Sequence, residues 1–365
     1  MYSNKDLFLE PTVSQYGSHM VMTNVQKETK RKYLNIDTRF RDDYNDPSNS
    51  SHIENIITLP QTITDVKSIM ICNAEIPISY YNISASLGNN VFSVSYSVDP
   101  GPNVFGTSSN GQASNNVSVN VTYPFILNDG VYDISGLQSE IVYKLKNQYP
   151  TIGFGNDIRF NIANTLDISN ATAISTTNSY RYYYSYFKSI SGLAYIHFDI
   201  NTFTSGSYNQ VNITNKYDYK TTLGWLLGYR KQTTIYLSPS APLGTANYAY
   251  LGVVSDSIVD LNGPRYLYIV VDEFSKGNQN SFISPLSNSI MNKNILSRLN
   301  YDTKLHPFGS VLSASIITGT LLSDRRSYSG KIDIQKLKVQ LVNEYGKPVN
   351  LNGLDFSFCL EVEHE

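Results

Sequence analysis

The chain has 365 residues, of which 41% are hydrophobic and 16% charged, and its formal net charge is −2. Near neutrality excludes a global field for nucleic acid or anionic lipid. The only concentrated basic run is Lys27, Lys30, Arg31 and Lys32, with Arg39 and Arg41 beyond it, so direct nucleic-acid binding is not expected. Charge falls well below the ~25% of ordinary soluble proteins. The solvated surface must therefore be built largely from Asn, Ser, Thr and the 29 Tyr, residues that suit half-buried strands and their turns.

Residues 1–50 are polar, alternate little and end in the turn-rich run Asp42–Asn49, which reads as a polar N-terminal arm that orders against a partner. They open with no basic segment leading into an apolar one, so no signal peptide is expected. No apolar stretch reaches the ~18–20 residues of a membrane-spanning helix. Strand signals begin at 53–60, closed by Pro60, and continue at 65–77, where Val66, Ser68, Met70 and Cys72 alternate with Lys67, Ile69, Ile71 and Asn73. Cys72 and Cys359 lie far apart in apolar strand-like runs and read as two buried thiols rather than a disulfide. Further strands are expected at 91–98 and 117–126, with a Gly, Pro, Ser and Asn loop at 99–115 between them.

The clearest helix spans 134–149. Asp133 or Ser135 can cap it, Leu137, Ile141, Val142 and Leu145 form an apolar stripe, and Pro150 ends it. Strands are expected at 157–162, 194–200, 233–237, 265–272, 311–320, 336–342 and 356–362, with Gly346-Lys347-Pro348 as a turn. The 265–272 run is apolar on both faces and must be central. Wide strand spacing, long loops and a single amphipathic helix favour an all-β fold: a jelly-roll β-sandwich, one elaborated or two in tandem, over residues 51–365. Residues 165–260 would be an insertion or part of a second sandwich.

The five histidines fall in no metal-ligating spacing, and neither a nucleophile elbow nor a phosphate loop occurs. Adjacent carboxylates at Asp42-Asp43 and Asp272-Glu273 point apart and make a poor acid–base pair. No catalytic residue, metal or cofactor is expected, and His197 reads as a hydrogen-bonded strand histidine. Two groups are candidates for contact with other chains. Tyr182, Tyr183, Tyr184 and Tyr186, beside Arg181, read as an interface strand, with a stacking platform for bases or sugars as the alternative. Asp37, Arg39, Arg41 and Asp42 read either as a salt-linked clasp where the arm meets the sandwich or as a solvated turn.

Two stretches carry a likeness to known proteins. One runs from Lys32-Tyr33-Leu34-Asn35-Ile36-Asp37-Thr38-Arg39-Phe40-Arg41-Asp42 through Leu59-Pro60, Val66–Ile69, Ala74–Pro77 and Tyr80–Ile83 to Asn89–Phe92. The other joins Gly330–Ile332, Leu337–Val339, Tyr345-Gly346 and Asp355–Phe358. Together they resemble the minor capsid proteins, including penton-like jelly-roll proteins, of the nucleocytoplasmic large DNA viruses. The resemblance covers both ends of the chain and little of 165–260. It implies a subunit of an icosahedral shell, made in host cytoplasm and placed in the virion, at a vertex or among the major capsid capsomers. Its partners would be the major capsid protein, neighbouring minor capsid proteins and further copies of itself. The other class the residues allow is a β-sandwich glycan- or receptor-binding protein of the virion surface, using the tyrosine-rich stretch.

Overall fold

The computed structural model describes residues 29–45, 54–98, 119–151, 154–164, 183–189, 194–198, 200–204, 207–210, 219–237, 253–274 and 294–365. The chain begins with β1 (Lys30–Asp37) and β2 (Glu54–Pro77). A middle series follows: β3 (Val91–Val98), β4 (Val119–Ile126), helix α1 (Ile134–Asn147), β5 (Ile158–Asn164), β6 (Tyr183–Ser189), β7 (Ala194–His197), β8 (Ile200–Thr204), β9 (Ser207–Gln210), β10 (Thr234–Leu237) and β11 (Val253–Val254). It closes with β12 (Tyr266–Asp272), β13 (Ile295–Asn300), β14 (Val311–Ser315), β15 (Leu321–Ser323), β16 (Arg326–Asn343) and β17 (Ser357–His364). The fold is an all-β sandwich.

The first and last groups of strands form one antiparallel sheet in the order β1-β17-β2-β16-β12-β13-β15, with β14 also on β2. The long strands β2 and β16 make it a two-layered body. The start of β2 pairs with the end of β16, from Glu54↔Gln340 to Thr58↔Lys336, while the end of β2 lies between β17 and β14. At the far edge Ser323 of β15 returns to β2 and accepts the Ile71 N–H at 3.1 Å, so the sheet curls round on itself. A single core fills the space, with Ile57, Ile63, Ile69, Ile71 and Ile76 meeting Ile269, Val271, Val339, Phe358 and Leu360.

Sequence alternation does not extend through β2 because its register slips. The pairing shifts against β16 between Ile63 and Val66, where Asp65 takes φ 57, and against β17 at Lys67, between Val66 and Ser68, and at Cys72, between Ile71 and Asn73. Each extra residue moves the inward set to the other parity, from Ile57, Leu59 and Ile63 to Val66, then to Ile69 and Ile71, then to Ala74 and Ile76. Ile69 and Ile71 are thus inside, although simple alternation puts Val66, Ser68, Met70 and Cys72 on one face. Pro60 does not end the strand. It stands exposed between the paired residues Thr58 and Ile63, where the ladder is interrupted and its missing N–H costs nothing. As expected, β12 is central, flanked by β16 and β13 and buried on both faces.

The polar arm expected through residue 50 is corrected for its described part. Residues 30–37 pair one for one with β17, from Lys30↔His364 to Asp37↔Ser357. The segment reads as polar because β1 is an edge strand with only its last inward side chains near the core, Leu34 part-buried and Ile36 fully so. Residues 1–28 lie outside the described residues. Cys72 and Cys359 are free thiols, as expected, but half-buried, since Cys359 points away from the core between inward Phe358 and Leu360.

A second core stands between β2 and β12 in sequence. A sheet in the order β10-β7-β3-β4 and another in the order β11-β6-β5 share the buried side chains Phe92, Phe125, Phe187, Phe198 and Ile196. Helix α1 closes it with Leu137, Ile141 and Leu145, while Val142 is exposed. Asp133 is the cap, accepting the Gly136 N–H at 2.6 Å. The two cores are nested rather than in tandem, and the inner one already begins at Ile83, well before residue 165.

Candidate assembly surface

Strand register places four chain segments at one end of the large sheet. β1 ends at Asp37 opposite Ser357, β17 starts there opposite Glu75 of β2, and β14 starts at Val311 opposite Pro77. The loops at this end are pinned by their backbone. Thr38 N–H donates to Phe356 O at 3.0 Å, Gly309 N–H to Ile78 O at 2.8 Å, and Ile78 N–H to Ser310 O at 2.8 Å.

The charged candidates hold this end together. Asp37 accepts from the Arg39 backbone N–H at 2.9 Å and from the Arg39 guanidinium at 2.5 and 2.9 Å. The Arg39 guanidinium holds the Asp37 carboxyl below the usual carboxylate range. Arg41 is buried. It donates to Thr38 O at 2.8 Å, pairs with Asp355, and lies over the Tyr44 ring at 4.4 Å. Asp42 accepts from the Thr58 hydroxyl at 2.6 Å and the Thr58 N–H at 3.0 Å, bonds that lower its pKa. Two of the four therefore fasten distant parts of the chain, Arg41 joining the turn after β1 to the loop before β17 and Asp42 joining it to β2, while Asp37 braces that turn through Arg39. Arg39 alone of the four keeps its guanidinium largely in solvent, beside the Phe40 ring.

That scaffold holds apolar side chains in water. Phe40 and Leu305 are each 73% exposed, and Phe308, Val311 and Leu354 are exposed too. They come from the turn after β1, the loop before β14 and that strand's first residue, and the loop before β17. Because Asp355 is bonded to both Arg41 and the Thr38 hydroxyl, the loop carrying Leu354 is fixed against the turn carrying Phe40. Phe308 stacks on Tyr81 at 6.3 Å between ring centroids. Grouped, ordered apolar exposure of this kind is unusual on a monomer and suits contact with another chain. Sequence reasoning missed Phe308, Val311 and Leu354, because their grouping depends on register between strands more than 200 positions apart.

The tyrosine-rich candidates divide between two faces. Tyr182 lies outside the described residues. Tyr183 packs against the inner core on the same side as Ser185 and Phe187. Tyr184 and Tyr186 point to the opposite face of β6 and are half-buried, and the Tyr186 hydroxyl accepts from Asn161 at 3.0 Å. Since β6 is the middle strand between β5 and β11, its side chains form no continuous aromatic shelf. His197 is a hydrogen-bonded strand histidine, with Ser95 Oγ at 2.6 Å and Thr234 Oγ1 at 3.1 Å. Among the described residues no group of three or more His, Cys, Asp or Glu could hold a metal ion, and no helix is long and apolar enough to cross a membrane.

The outer face of β17 carries an ionic ladder. Arg325 donates to Glu361 at 2.7 Å and to Glu363 at 3.2 Å, and Lys331 pairs with Glu365. The Arg325 hydrogen bond pulls the Glu361 pKa down, the Ser68 hydroxyl does the same for Glu363, and Lys331 draws Glu365 to about 2. Depressed carboxyl pKa values stabilise the fold above the unfolded value of 4.5, and that contribution is lost as pH falls through the folded values. The stability gap between wild type and Arg325→Met, measured by urea unfolding, is therefore expected to be widest above pH 4.5 and to shrink below it. A gap independent of pH would contradict the ladder.

No protein-family model matches the sequence, and no curated protein matches it. Among solved structures the chain is similar to selenomethionine-labelled mavirus penton protein, at 9% identity and a TM-score of 0.36, over 93% of this chain and 100% of that one. A likeness at that level assigns neither fold nor function.

Proposed function

We propose that the chain is a structural virion protein: a minor capsid or vertex (penton-like) subunit of an icosahedral large DNA virus shell, acting through protein–protein assembly and not as an enzyme. The observation that carries this reading is the rigid apolar end of the large sheet, where Phe40, Phe308 and Leu354 are held in solvent by backbone and ionic links. The capsid-like residue runs at the two ends of the chain support it, because they are the segments that build this end: Asp37–Asp42 and Asp355–Phe358 meet there through Thr38, Arg41 and Asp355. The partners would be further copies of this chain, the major capsid protein and neighbouring minor capsid proteins, in the virion.

Light scattering after size exclusion tests the reading. The full chain is expected to form a closed oligomer whose mass rises to a plateau with concentration, five copies for a vertex subunit. Failing self-association, it is expected to bind purified major capsid protein. Phe308→Asp with Leu354→Asp is expected to abolish either association while circular dichroism stays unchanged. A protein that remains monomeric, and that the major capsid protein ignores, would refute the proposal.

A further inference from the structure

Strands β2 and β17 bring the two cysteines of the chain onto one face of the large sheet. Cys359 pairs with Asn73 and Leu360 with Ile71, so Cys72 is the extra residue of a bulge, and Cys72 and Asn73 together stand opposite Cys359. Burial gives the direction of each side chain. Ile71, Ala74, Phe358 and Leu360 lie in the core, whereas Cys72, Asn73 and Cys359 all lie on the outer face. Residues opposed across an antiparallel ladder hold their Cα atoms roughly 4.5–5.5 Å apart. A disulfide spans roughly 4.4–6.8 Å between Cα atoms, so the backbone can accept one without rearrangement.

The side chains agree with the register. Cys72 Sγ lies 3.8 Å from Glu361 Oε2, and Glu361 shares the outer face of β17 with Cys359. Arg325 holds the other oxygen of Glu361 at 2.7 Å, so the carboxylate does not depend on the weak donor that a thiol offers. Burial pushes both thiols above their ordinary range and the Glu361 carboxylate adds to it, while the charge of Cys359 also acts on Cys72. Both groups are therefore protonated thiols at neutral pH. They are also half-buried, which leaves them open to a small reagent.

We propose that Cys72 and Cys359 are a redox-closed cross-link, converted by a small disulfide such as oxidised glutathione into a disulfide that bolts β17 to β2. One cysteine, as thiolate, attacks the small disulfide, forming a mixed disulfide and releasing one small thiol. The other thiolate then attacks the protein sulfur of that mixed disulfide and expels the second small thiol. Two protein thiols are oxidised, one small disulfide is reduced, and the two cysteine protons end on its thiols. The position of the link gives it weight. β17 carries the edge strand β1, and the loop before β17 holds Asp355 against Arg41 and Thr38. The cross-link would also close most of the chain into one loop, which restricts the unfolded state strongly. It goes beyond the assembly role and does not depend on it.

The full-length protein would be incubated with oxidised or with reduced glutathione, then followed by intact mass, peptide mapping and urea unfolding. Oxidation is expected to remove the mass of two hydrogen atoms, retain no glutathione and yield a Cys72–Cys359 peptide from a chain of monomer size. The urea midpoint is expected to rise by on the order of 1 M and to fall back on reduction. Cys72→Ser and Cys359→Ser should each lose both the link and the rise. Should either fail to fold, the peptide map and the reversible midpoint of the wild type decide. The proposal is overturned if the folded wild type retains two glutathiones or links only between chains. It is equally overturned if both thiols stay free under oxidised glutathione that modifies the urea-unfolded chain, or if an internal disulfide leaves the midpoint unchanged.

Discussion

Glu273→Ala is expected to cost about 3–5 kcal/mol of folding stability, as measured by urea unfolding, because it strands a buried guanidinium. Arg326 opens β16 and Glu273 follows the end of β12, and their side chains are only 2% and 3% exposed. Arg326 donates to Glu273 at 2.8 Å, to Val271 O at 2.8 Å and to Ile295 O at 3.4 Å, so one guanidinium ties β16 to β12 and β13 at once. With the carboxylate gone, two carbonyls remain as partners for a full positive charge that water cannot reach. Arg326→Ala should be as damaging for the opposite reason, since it leaves the carboxylate buried. Replacing both together, Glu273→Leu with Arg326→Met, should recover most of the loss, because burying an ion pair gains little over filling the same space with apolar groups. A Glu273→Ala loss below about 1 kcal/mol would show that the pair is solvated and its burial unimportant.

The sequence concealed that pair for the same reason that it revealed other parts of the fold. Periodicity reports on contacts within a few residues, so the α1 stripe of Leu137, Ile141 and Leu145 and the two-sided apolar run of β12 are both legible. Arg326 and Glu273 stand 53 positions apart in polar surroundings, and nothing local distinguishes a buried ion pair from two solvated charges. β1 escaped for a related reason, being an edge strand that shows the core little more than Leu34 and Ile36. β2 reads as two short strands because bulges at Asp65 and Cys72 break its alternation, and because Pro60 ordinarily ends a strand.

Among the candidate site residues, Asp37, Arg39, Arg41 and Asp42 were legible as a charged group, but not the division of labour among them. That division follows from Asp355 and Thr58, which lie 314 and 16 positions from Arg41 and Asp42 respectively. The tyrosine-rich stretch suggested a surface, yet strand alternation turns Tyr183 inward and sets Tyr184 and Tyr186 on the other face. The apolar end of the large sheet needs several distant segments, so no window of sequence could show it.

The largest effect on the inner core is expected from Phe187→Ala, again about 3–5 kcal/mol. Phe187 is fully buried, and its ring lies 4.5 Å from Phe160, 6.1 Å from Phe198 and 6.2 Å from both Phe92 and Tyr229 between centroids. Phe160 is its cross-strand partner on β5, whereas Phe92 belongs to the facing sheet, so the ring bridges the two layers. Truncation removes contacts in both layers, and rigid neighbours such as Phe92 stacked on Phe125 at 5.0 Å cannot collapse into the space. Phe187→Leu keeps most of the volume and should cost much less than the alanine. Because the two cores are separate clusters joined by short chain crossings, the damage should be local. Amide exchange is then expected to quicken in β3, β6 and β7 while β2, β16 and β17 keep their protection. The apolar end of the large sheet should survive as well, so Phe187→Ala should still associate where Phe308→Asp with Leu354→Asp does not. Equal loss of protection in all six strands would instead make the two cores one cooperative unit, and the assembly surface would then depend on the inner core.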